Sequence, residues 1–163
     1  MGGPPHDDAA RGACLSQALK AIRRRRGLRA ADVAARLGMP LRSYEHFEAG
    51  RGRLNVDRIH RFAEVVDADP YAILAAVEIG SPRFAVRCAD DKLMAILMMA
   101  IQDFDASAGD DIAGLDPRTL ISAFAGVFDQ LAAEGEARRA ALGHWRASQS
   151  IGGSGTDGSG SGC

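Results

Sequence analysis

Leu41, Arg42, Ser43, Glu45 and His46 crowd hydrogen-bond donors, acceptors and one apolar side chain into about two turns of helix. Their types suit reading a surface rather than breaking a bond. An arginine guanidinium offers a planar fork of donors, and histidine and serine can donate or accept. Three more arginines flank the group: Arg29 upstream, Arg51 and Arg53 just downstream. At that spacing they are candidates to grip anionic groups on either side, as phosphate-contacting residues do.

No catalytic constellation accompanies them. His6, His60 and His144 have no spacing that suggests a triad or a metal site. Cys14, Cys88 and Cys163 form no CxxC or Cys/His cluster and are expected to be free thiols. Asp103, Asp105, Ser107, Asp110 and Asp111 resemble a calcium loop only superficially. Ala108 stands where the turn needs glycine, and Gly114 where a bidentate glutamate belongs. No enzyme activity, metal or cofactor is expected.

The elements that must position the polar group are helical. Leu15, Leu19 and Ile22 share one face of a first helix to about Arg26, stopped by Gly27. A second helix covers roughly 30–37, with Val33, Ala34 and Leu37 inward. Gly38 allows a sharp turn, and Pro40 pre-sets the start of a third helix over 41–49, with Tyr44 and Phe47 inward and Gly50 as its stop. Asn55 caps a fourth helix whose stripe is Ile59, Phe62, Ala63 and Val66. Asp69-Pro70 opens a fifth. Two short helices either side of a glycine turn read as a helix-turn-helix unit, whose second helix is shaped for a DNA major groove.

Several features at fixed offsets make the resemblance specific. They are the arginine run 23–26 followed by Gly27-Leu28, Ala34 inside the second helix, Gly38 in the turn, Glu48-Ala49-Gly50-Arg51 closing the third helix, and Asp-Pro before the fifth. Residues 15–77 resemble the phage-repressor-like (Cro/cI, XRE-type) helix-turn-helix family. The resemblance implies a five-helix domain that binds double-stranded DNA through its third helix. Arg42 and His46, with Leu41, Ser43 and Glu45, then contact bases, and Arg29, Arg51 and Arg53 contact phosphates. It also implies that Arg23 pairs with Glu48 as a semi-buried bridge, so the arginine run is not simply a DNA patch. Gln or Ser is frequent in the family where this chain has Pro40 and Leu41, so the family's base preference does not transfer. Relatives with a self-cleaving Ser/Lys domain build it on strands. No strand pattern occurs here, and Lys92 is the only lysine of the second half.

Charge divides along the chain. From 15 to 77, twelve Lys and Arg stand against seven Asp and Glu; from 78 to 163 the balance is seven against twelve. The basic part suits phosphates and the acidic part does not. The second half is also helical, with Leu120, Ile121, Phe124, Val127, Phe128 and Leu131 forming an apolar stripe that needs a surface. A homodimer on a two-fold operator is the expected solution. The alternative is an interaction module, an antitoxin or adaptor whose C-terminal helices bind another protein. The expected organisation is all-α: a disordered 1–13, a DNA-binding domain at 14–78, a linker at 79–87, a helical dimerisation region at 88–147 and a Gly/Ser tail at 148–163. No membrane span or secretory signal is visible, so a cytoplasmic, nucleoid-associated bacterial regulator, most simply a repressor, is expected.

Overall fold

Leu15, Leu19 and Ile22 of the first helix share a buried core with Val33, Tyr44, Ile59, Phe62 and Ile73, which come from the four helices that follow. Fully burying an aliphatic or aromatic side chain stabilises by roughly 1.5–3 kcal/mol, so this shared core sets how the helices pack. The computed structural model describes residues 8–151. Among them it is all-α, with helices α1 (Asp8–Arg25), α2 (Ala30–Arg36), α3 (Leu41–Glu48), α4 (Val56–Val66), α5 (Pro70–Glu78), α6 (Pro82–Arg87), α7 (Leu93–Ala108) and α8 (Pro117–Ile151), a 3-10 segment at Gly109–Gly114, and no strand. The described chain forms two compact units that meet between Gly109 and Asp110.

In the first unit α1 to α5 stop where a residue adopts the left-handed conformation. After α2, Gly38 takes φ +66°, its N–H reaches Ala35 O at 3.1 Å, and Met39 N reaches Ala34 O at 3.0 Å. This satisfies carbonyls that the helix end would otherwise leave open, and turns the chain into α3. Asn55 caps α4 by accepting from Arg58 N at 2.9 Å.

Two segments differ from the sequence-based expectation. Residues 8–13 are not disordered: they are the first turns of α1. What holds them is long-range. Gly12 lies so close to Gly50 that a Cβ on either would run into the other's carbonyl, and Arg11 pairs with Glu78 of α5. Residues 79–87 are not a linker either. Gly80 ends α5, Pro82 opens α6, Ala85 is fully buried, and Arg25 donates to Val86 O at 2.9 Å. Gly80 and Pro82 mark the end of one packed helix and the start of the next.

Asp69 does more than cap α5. This buried carboxylate accepts from Tyr71 N at 2.9 Å and Ala72 N at 3.3 Å through Oδ1, and from Ala95 N at 2.9 Å through Oδ2. The cap position of α7 is Lys92, which has no side-chain oxygen to offer. Asp69 therefore serves as acceptor for two helix N-termini and fastens α7 to α5.

In α7 no residue is buried, and Ile96, Met99, Ile101 and Phe104 are exposed. In the second unit α8 begins after Asp116, which accepts from Arg118 N and Thr119 N. It runs through Gly135 and Gly143 as one helix. No described helix is long and apolar enough to cross a membrane. Cys14 and Cys88 are free thiols whose pKa values burial pushes up. His6, residues 1–7, the tail from 152 and Cys163 lie outside the described residues.

Asp69→Ala removes both caps. Each is worth about 1 kcal/mol, so chemical denaturation should show a loss of about 2 kcal/mol, with faster amide exchange at Ala95. Unchanged exchange at Ala95 would contradict its role in holding α7.

Candidate nucleic-acid interface

The rotation of α3 about its own axis decides which side chains face outward. Tyr44, Phe47 and Glu48 fall on one face at i, i+3 and i+4, and all three are buried. A carboxylate there requires compensation. Arg23 of α1 supplies it, with Nε to Glu48 Oε1 at 2.5 Å and Nη2 to Oε2 at 3.1 Å. The Tyr44 hydroxyl donates to Oε1 at 2.8 Å, and Arg23 Nη1 donates to Leu28 O at 2.9 Å. Burial acts to raise the Glu48 pKa, but the bonds from Arg23 and Tyr44 outweigh it and hold the carboxyl below its ordinary 4.5. The Tyr44 hydroxyl is pushed up, first by burial and then by its bond to Glu48.

With that face turned in, Leu41, Arg42, Ser43, Glu45 and His46 are all exposed. They do not act as one group. Arg42, Glu45 and His46 line a shallow depression of about 360 Å³ together with Ala49 and Arg51, whereas Leu41 and Ser43 lie outside it. Arg51 joins the group because the chain leaves α3 through Gly50 at φ +67°, with Arg51 N bonded to His46 O at 3.3 Å. Among the described residues the side chains of Arg42, His46 and Arg51 make no hydrogen bond or ion pair. Three polar groups with open valences therefore line one depression beside Glu45.

The other flanking arginines are placed differently from one another. Arg29 is exposed at the start of α2, but it is not a free cation. Its guanidinium lies 3.2 and 3.3 Å from the Asp32 carboxylate, which also accepts from Arg29 N at 2.9 Å. A phosphate reaching Arg29 must share it with Asp32, whose pKa the arginine lowers. Arg53 is exposed but lines a different cavity, beside the first turn of α1, because Gly52 at φ +88° separates it from Arg51.

The basic run before Gly27 is largely consumed inside the fold. Besides Arg23, Arg25 and Arg26 both pair with Asp90, at 2.5 and 2.6 Å, and Arg26 also donates to Val66 O at 2.8 Å and Asp67 O at 2.5 Å. Only Arg24 of the four is exposed with no partner among the described residues. One positioning residue escaped the sequence reading. Arg61 of α4 donates to Leu37 O at 2.6 Å and so holds the carbonyl at the end of α2, just before the turn. An arginine on an amphipathic helix gives no signal of such a target.

Compared with known proteins, residues 15–73 match the family model of a helix-turn-helix domain. The match spans α1 to the middle of α5 and contains the whole depression on α3. Searches of curated proteins and of solved structures returned no match.

Glu48→Gln keeps the shape of the junction but leaves Arg23 without its charge partner. Breaking such a pair costs about 3 kcal/mol, to be read by urea denaturation at neutral pH. Because the folded-state pKa of Glu48 is depressed, its contribution is complete above 4.5 and is lost as pH falls through the folded value. The gap between wild type and variant should therefore close on acidification; a gap independent of pH would contradict the assignment.

Proposed function

We propose that the protein, with a helix-turn-helix DNA-binding domain at residues 15–73, is a sequence-specific transcriptional regulator of the XRE-like kind. In this reading it acts as a homodimer on an inverted-repeat operator, with repression as the simplest consequence, in the cytoplasm at the nucleoid. The observation that carries the reading is the polar depression along α3. The side chains of Arg42, His46 and Arg51 sit on one exposed face with no partner among the described residues, on and just after the helix that follows the Gly38 turn.

Each residue has a role that its chemistry supports. Arg42, in the first turn of α3, can donate two hydrogen bonds to guanine O6 and N7. His46, one turn on, reaches the next base edge, and Glu45 between them accepts from a cytosine amino group. Leu41 packs on a thymine methyl and Ser43 bonds a base or sugar. Arg51 and Arg53 grip the backbone, and Arg29 does so when Asp32 releases it.

The second unit supports dimerisation. Ile121, Phe124, Val127, Phe128 and Leu131 of α8 are between 49% and 63% exposed, and Leu120 is half-buried. Such a row of large apolar groups on one chain calls for a covering surface. A second copy presents the same row, and two-fold pairing would set two recognition helices about 34 Å apart on DNA.

Arg42→Ala should cost roughly 1–3 kcal/mol on the best duplex from a random library and relax one base position. Arg51→Ala should weaken all sequences alike and reduce the salt slope by about one. Equal small losses from both, with specificity unchanged, would remove the assignment of α3. Sedimentation equilibrium should give a dimer for the wild type and a monomer for Phe124→Asp. A monomeric wild type would favour a protein partner for α8 instead.

A further inference from the structure

The first turn of α1 and the loop after α3 enclose a cavity of about 720 Å³. That lies within the roughly 300–1,000 Å³ of small-ligand sites. Asp8, Arg11, Gly12, Gly52, Arg53 and Leu54 contribute to its wall. Arg11 is divided between two environments. Its Nη2 pairs with Glu78, while its Nε is buried and has no hydrogen-bond partner. A buried N–H without an acceptor has lost its water and gained nothing in return, so a shift of the Arg11 side chain that opens Nε to an acceptor is favoured. Arg53 adds a second guanidinium that is exposed and, among the described residues, unpaired. Glu78 answers one charge of Arg11 from outside the cavity wall, and Asp8 contributes one carboxylate within it. Leu54 offers an apolar patch.

We propose that this cavity binds a small oxyanion, a carboxylate or phosphate group of a metabolite that also carries a hydroxyl or amino donor. The oxyanion accepts from the guanidinium groups of Arg11 and Arg53, and the donor faces Asp8. Arg53 is also a backbone-gripping residue in the DNA reading above, so the same binding event draws it away from DNA and makes the ligand an inducer. This last step rests on that reading; the anion site itself does not.

Inorganic phosphate, which has both an oxyanion and a donor hydroxyl, is the probe. The full chain, labelled with ¹⁵N and free of DNA, is titrated against chloride at constant ionic strength. Saturating shifts are expected at the amides of Gly12, Gly52 and Arg53, with affinity at least tenfold lower in Arg11→Gln and in Arg53→Gln. Arg53 lies on an exposed loop, so its variant keeps the comparison valid if loss of the Arg11–Glu78 pair disturbs α1. Shifts that never saturate, or equal affinity in wild type and Arg53→Gln, overturn the site. In a second arm, saturating phosphate should weaken DNA binding of the wild type about tenfold beyond the ionic-strength effect. An unchanged DNA affinity overturns the coupling. Because the titration contains no DNA, failure of the DNA reading and failure of the anion site are separate results.

Discussion

A buried carboxylate at the end of α3 is the constraint from which the geometry follows. Glu48 is held away from solvent, so its charge must be met by hydrogen bonds and an opposite charge. Arg23 and Tyr44 meet it. Arg23 belongs to α1 and also binds Leu28 O in the α1–α2 connection. One ionic cluster therefore ties together α1, the α1–α2 connection and α3. Tyr44 and Glu48 must face inward to complete it, which leaves Arg42, Glu45 and His46 no direction but outward.

The same economy of charge runs through the rest of the first unit. Arg25 and Arg26 are spent on Asp90 and on carbonyls of the α4–α5 connection. Asp69 is spent on the N-termini of α5 and α7. Cations that would make a diffuse basic surface are built into the framework instead. The cations left open near α3 are then those of Arg42, Arg51 and Arg53.

Much of this was legible in the sequence, for definite reasons. Gly38 and Gly50 mark helix ends because they accept the left-handed conformation, and Asn55 and Asp69 mark helix starts because their short side chains reach backbone amides. The 3.6-residue spacing of Leu15, Leu19 and Ile22, and of Ile59, Phe62 and Val66, identifies the buried faces. The start of α1 was not legible, since Asp8 to Ala13 carries little to bury; a close backbone approach to Gly50 and an ion pair to Glu78 hold it. Nor did spacing reveal that Asp69 caps a second helix 26 residues away. Within the candidate site, the sequence grouped Arg51 with Arg53, but the turn at Gly52 sends them to different surfaces.

The claim that α3 reads bases is tested most directly by selecting genomic fragments with the purified protein at near-physiological salt and sequencing what is retained. A shared inverted repeat, with half-sites about 10 bp or a multiple of that apart, is the predicted result. Retention of nothing, or of fragments with no sequence in common, would contradict it.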